Sequence, residues 1–262
     1  MNRNMLILGG ALAIALAIVA ALFVSVGPRF LSSAPPVLSL ASFPADQQAV
    51  VARINAAPEY TRFFQRLGEA FPKDRARLLE GFAAKTADAP ALAADTYLAE
   101  TVRHLGQTRG VLAAKASPAA LTRIFALQAD MAAALAKEDA RLCVDIIYGG
   151  ESQGYYEFAA NHRALVAAYA RAGLDAIIDG QASKTERDKP SDADFKELEA
   201  ALAKAGLSQV QIDAFLDGKL PDPPQPDADL CRAGLVYFDV LKGLPEPLRL
   251  RIYALTLELM AK

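Results

Sequence analysis

Gly150-Glu151-Ser152-Gln153-Gly154 fits G-x-S-x-G, the pattern of a nucleophile elbow in which a serine on a sharp strand-to-helix turn attacks an acyl carbon. The run Val144 to Tyr148 could serve as the strand before it and Tyr155 onward as the helix after it. The chemistry also needs a histidine to take the serine proton, with an acid between the two in chain order. The only histidine after Ser152 is His162, ten residues on and on the helix that would follow the elbow. No series of alternating strands exists to build the sheet beneath it. A serine hydrolase at Ser152 therefore remains a remote reading, and a polar turn between helices is the plainer one.

Other chemistries fare no better. His104 and His162 are the only histidines. Glu100 and His104 stand four apart on one helix face, a spacing that two metal ligands can use, but C-x-x-C, H-E-x-x-H and EF-hand patterns are absent. Gly106 and Gly110 are isolated, so no glycine-rich phosphate loop forms. The carboxylates, including Glu138, Asp139 and Asp145 near one helix end, are scattered and read as solvated faces. No cofactor is expected, and the chain reads as a non-enzyme.

Aromatic side chains carry the more useful signal. Tyr155, Tyr156, Phe158 and Tyr169 cluster beside a glycine-rich turn. Adjacent Tyr155 and Tyr156 cannot both face one core, and exposed tyrosine favours interfaces. Tyr60, Phe63 and Phe64 form a second aromatic group that could touch lipid headgroups or a neighbouring protein. Both groups are candidate interface residues.

The elements that must hold these residues are helices. Pro58 and Pro72 suit first-turn positions, and Tyr60, Phe63, Phe64 and Leu67 make an apolar stripe. A helix is expected over Asp88–Lys115. Ser117-Pro118 reads as an N-cap followed by proline at the first helical position, opening a helix that ends at Gly149-Gly150. Tyr155–Ile178 forms the next, with a break at Gly173. Residues 180–194 read as a loop, with Ser191 or Asp192 capping the helix after it. Gly206 and Ser208 mark a stop and a start, and Pro221 to Pro226 an extended linker. Two helices, about 227–242 and 245–261, complete an all-α domain of about eight to ten helices.

Leu6 to Val26 is a 21-residue run without a charge. At about 1.5 Å per residue it can cross a hydrocarbon core of roughly 30 Å. It is too long for an ordinary cleaved signal peptide and lacks an Ala-x-Ala site, so residues 1–27 read as an uncleaved transmembrane anchor. Arg3 and the free amine on the near side, against Arg29 alone on the far side, place the N-terminus in the cytoplasm. The expected location is the cell inner membrane, single-pass, with the domain in the periplasm. Gly9, Ala13, Ala17 and Ala21 recur every fourth residue, a spacing that lets two membrane helices pack closely. Residues 28–45, rich in proline and serine, read as a tether, and 46–262 as the helical domain.

Beyond residue 27 the chain carries 27 basic and 30 acidic residues with no basic cluster, which argues against a nucleic-acid surface. Two cysteines, Cys143 and Cys231, suit a disulfide in an oxidising compartment. The leading functional expectation is an accessory or scaffold protein acting by contact with another membrane or envelope protein, with lipid met by the N-terminal helix. A helical ligand-binding or sensory domain is the alternative.

Overall fold

Prolines, serine caps and one aspartate divide the chain into helices whose apolar faces meet in a single core. The computed structural model describes residues 37–88, 93–148, 154–217, 221 and 224–261. The anchor with Gly9, Ala13, Ala17 and Ala21, the tether up to residue 36, and Ser152 with its flanking residues 149–153 lie outside the described residues. The described residues belong to one compact unit that starts at Val37. They hold twelve α-helices and no strand: α1 Ala45–Asn55, α2 Pro58–Ala70, α3 Pro72–Asp88, α4 Ala94–Ala113, α5 Pro118–Glu138, α6 Ala140–Tyr148, α7 Gly154–Asn161, α8 Arg163–Ser183, α9 Asp192–Lys204, α10 Gln209–Asp217, α11 Asp227–Gly243 and α12 Glu246–Met260. The all-α expectation holds, with more and shorter helices than the periodicity suggested.

The extra helices have local causes. The expected helix from Pro118 to Gly149 is interrupted at Asp139, whose backbone is extended. Its carboxylate accepts from the Arg141 N–H at 2.7 Å and so caps a new helix, α6. The strand-like run Cys143 to Tyr148 is the body of α6. A second interruption falls at His162, between α7 and α8, and α8 runs unbroken through Gly173. α4 starts at Ala94 rather than near Asp88. The serine caps read as expected. Ser117 accepts from the Ala120 N–H, and Ser191 forms a reciprocal capping box with Asp194. Gly206, at φ +94°, turns the chain after α9.

α8 is the central helix. It packs against α2, α4, α5 and α7. Its buried residues are mostly small (Ala167, Ala170, Ala172, Ala176 and Gly180) with Val166, Leu174 and Ile177 between them. A helix that is apolar on several sides can be surrounded. Gly180 marks the tightest approach: a Cβ there would overlap the carbonyl oxygen of Leu112 in α4. Just beyond α8, Arg187 donates to the carbonyls of Ala114 (3.0 Å) and Ala116 (2.6 Å), clasping the turn that leads into α5. Among the described helices, α5 alone is long and apolar enough to cross a membrane. Its face from Leu121 to Leu135 is covered by α8, α6, α11 and α12, as in a core helix.

Tyr60, Phe63 and Phe64 correct the sequence reading. They are buried, at 0, 0 and 1% exposure. With Leu67 they form an i, i+3, i+4, i+7 stripe that α2 turns toward α3 and α8, so no part of it is offered to lipid or to a neighbour. The end of the expected tether is also folded. Leu38 is buried, and its backbone N–H and C=O pair with the Asn55 side-chain amide at 3.0 and 2.8 Å. The folded unit therefore includes residues 37–45.

Cys143 in α6 and Cys231 in α11 form a disulfide, as expected, and both are buried. It closes a separation of 88 residues and joins two helices that already pack against one another.

Candidate functional site

A groove runs between α4 and α8, and small residues create it. Ala99, Gly106 and Gly110 lie on the α4 wall, Ala170 and Gly173 on the α8 wall. A Cβ on Gly106 or Gly173 would meet nothing within 4 Å. The space left open forms one cavity of about 270 Å³ and another of about 390 Å³. They share Val102, Arg103, Tyr169, Ala170 and Met260, so they are successive parts of one groove. α6 and α7 wall the first part; Leu174, Ile177 and Leu257 line the second, beside Arg103 and Gln107. Cavities of this size and lining are typical of small-molecule sites.

Asp95 lies against the first part of the groove and is 4% exposed. It sits in the first turn of α4, where the helix dipole favours negative charge. It accepts from the Tyr60 hydroxyl at 2.6 Å and from Arg163 Nε and Nη2 at 3.2 and 3.0 Å. Burial alone would raise its pKa; the Arg163 guanidinium and the Tyr60 hydroxyl overcome this and hold it below the ordinary value. Burial, joined by the nearby carboxylate, pushes Tyr60 well above the ordinary phenol range. The cluster ties α2, α4 and α8 together and is fully partnered.

Asp145 is different. It lines the first cavity at 7% exposure. One carboxylate oxygen pairs with Arg141 at 3.1 Å, while the other is buried without a hydrogen-bond partner.

The tyrosines supply further polar atoms. Tyr155 and Tyr156 both line the first cavity, with ring centroids 6.2 Å apart. Tyr156 is 37% exposed at the rim, and Tyr155 is half-buried. Burial, aided by Tyr169, Tyr156 and Asp95, pushes Tyr155 up to about 12, and burial does the same to Tyr169. Both phenols keep their protons at neutral pH and can donate.

The structure thus brings Tyr155 and Tyr156 into the groove, keeps Tyr60 and Phe64 in the core, and places Phe63, also buried, against the second part of the groove. Asp95, Arg103 and Met260 escaped the sequence reading; the mid-helix glycines 106, 110 and 173 were the available signal. Glu100 pairs with Lys85 at 2.6 Å rather than with His104, and His162 pairs with Glu138. Among the described residues no cluster of three metal-ligating side chains occurs. No protein-family model, curated protein or solved structure matches this chain.

Proposed function

We propose that this chain is a membrane-anchored helical binding protein, held by its N-terminal span at the extracytoplasmic face, and that the groove between α4 and α8 is its working surface. The observation that carries the reading is the continuity of the two cavities through Val102, Tyr169 and Ala170. Mainly apolar walls with a few polar groups along them suit a ligand with an apolar body. A second reading, an accessory protein that docks a partner, is favoured by the exposed Tyr156 at the rim and by Leu259 and Met260, which are 59 and 55% exposed.

Photo-cross-linking in cells separates the two. A photoreactive amino acid replaces Val102 in the groove wall or, as a control, the exposed Lys196 on α9. Tagged full-length protein is then recovered and weighed intact. A small-molecule adduct at 102 and not at 196 supports ligand binding. A polypeptide adduct at 102 supports the docking reading. Equal labelling at both positions, or none at 102, rejects the groove as the working surface.

A further inference from the structure

Four arginines that lie far apart in the sequence meet on one face of the fold. Arg62 and Arg66 belong to α2, Arg123 to α5 and Arg171 to α8. α2 and α8 run in the same direction. Tyr60, near the start of one, and Arg163, the first residue of the other, bind the same Asp95 carboxylate, and further along Arg66 Nε reaches Asp175 at 3.3 Å. One turn back from that contact stand Arg62 on α2 and Arg171 on α8. α5 runs against α8: the Ser117 N–H at its start donates to Asp179 at 3.1 Å, and Glu138 at its end pairs with His162. Arg123 is therefore level with the turn from Arg171 to Asp175.

The charges on this face do not balance. Among the described residues, the carboxylates that pair with the set are Asp175 and Glu69, and both pair with Arg66, at 3.3 and 3.9 Å. Arg62 and Arg123 are exposed and have no carboxylate partner among the described residues. Arg171 is partly buried and donates to the Ala167 carbonyl of its own helix at 3.3 Å. Burial, joined by the charges of Arg62 and Arg123, lowers the Arg171 pKa against the pull of Asp175. In a chain of net charge −2, these cations repel one another locally, and an anion placed among them would relieve the repulsion. Guanidinium forks grip phosphate through paired N–H donors, and forks arriving from three helices suit a tetrahedral group better than a planar carboxylate. We infer that Arg62, Arg123 and Arg171 form a binding site for a phosphoryl group, carried by a soluble phosphate ester or by a lipid head group. None of the three lines the groove, so the inference stands apart from the groove reading.

The test follows arginine modification by phenylglyoxal, residue by residue, by mass spectrometry of the full-length protein in phosphatidylcholine nanodiscs. Glycerol 3-phosphate is titrated in, with acetate and hexaglutamate at equal ionic strength in parallel, and a further preparation carries phosphatidylglycerol in the disc. Arg77, exposed on α3, is the control. Protection of Arg62 and Arg123, and not of Arg77, is expected. Protection by glycerol 3-phosphate assigns a soluble ester; protection that requires phosphatidylglycerol assigns a lipid head group. Arg171→Gln should raise the half-protecting concentration of the effective probe about tenfold, the scale of one charge-assisted hydrogen bond. Asp175→Asn, which removes a carboxylate and releases Arg66, should lower it, and a gain of binding cannot come from a folding defect. Equal protection by acetate, equal protection of Arg77, an Arg171→Gln protein that behaves like the parent, or no protection by either phosphate probe overturns the inference. Protection by hexaglutamate alone would assign the face to an acidic protein segment and overturn it as well.

Discussion

Asp95 and Arg163 meet through two hydrogen bonds, 3.2 Å from Nε and 3.0 Å from Nη2, and Tyr60 completes the carboxylate's shell at 2.6 Å. Removing one member of a buried pair leaves the other uncompensated. Asp95→Ala is therefore expected to destabilise the domain by about 3 kcal/mol, toward the low end for buried pairs because the Arg163 side chain is 34% exposed. Tyr60→Phe, which removes a single donor, should cost about 1–2 kcal/mol. Urea unfolding of the two variants checks both values; an Asp95→Ala protein as stable as the parent would refute this account of the junction.

Acid should unfold the protein through these carboxylates. The Arg251 guanidinium and the Ser191 backbone N–H hold Asp194 at about 2, and Asp95 is also lowered. A carboxylate whose folded pKa lies below its unfolded value, near 3.9, stabilises the fold above that value and ceases to do so as pH falls through the folded one. Melting temperature should therefore be flat from neutrality to about pH 4 and decline between about 4 and 2. Asp194→Asn should flatten that decline. A parallel fall in parent and variant would show that Asp194 contributes nothing to it.

Two glycines of one helix should respond in opposite directions. Gly180→Ala forces a Cβ into the Leu112 carbonyl, so backbone must move; a loss of roughly 1–3 kcal/mol or more is expected. Gly173→Ala meets open space in the same helix and should gain about 0.5–1 kcal/mol from the lower entropy of the unfolded chain. Thermal melts of the pair decide the matter, and a common sign would contradict the helix packing described.

The Cys143–Cys231 bridge closes 88 residues of chain. In the chain-entropy account a loop of that length is worth about 4–5 kcal/mol. The Cys143→Ser, Cys231→Ser protein should lose a large part of this in denaturant midpoint, and reductant should shift the parent midpoint but not that of the variant. Alkylation of the unfolded, unreduced parent should find no free thiol.

Local chemistry made part of this molecule legible in the sequence. Ser117-Pro118, Ser191 and Gly206 act within a few residues of themselves, and each ends or begins a helix where expected. The cysteine pair was legible because two cysteines leave one pairing. Asp139 was not, since its capping bond to Arg141 interrupts an apolar period that otherwise continues across it. The burial of Tyr60, Phe63 and Phe64 also depends on neighbours far along the chain; the same stripe on an unpartnered helix would be a surface. The groove was least legible, because it is a gap between α4 and α8 that only their relative placement reveals. What the sequence did offer was Tyr155 and Tyr156, whose adjacency forces one ring outward.

The clasp between Asn55 and Leu38 has a mechanical consequence. Tension entering at residue 37 loads first the two hydrogen bonds to Asn55, then α1, and is borne early by no covalent cross-link. Pulled hard enough, the chain can unspool as far as Cys143 while the loop from there to Cys231 stays closed. At about 3.3–3.6 Å per extended residue, that release lengthens the molecule by roughly 350 Å. Asn55 is thus the latch that decides whether force on this end is resisted or converted into reach.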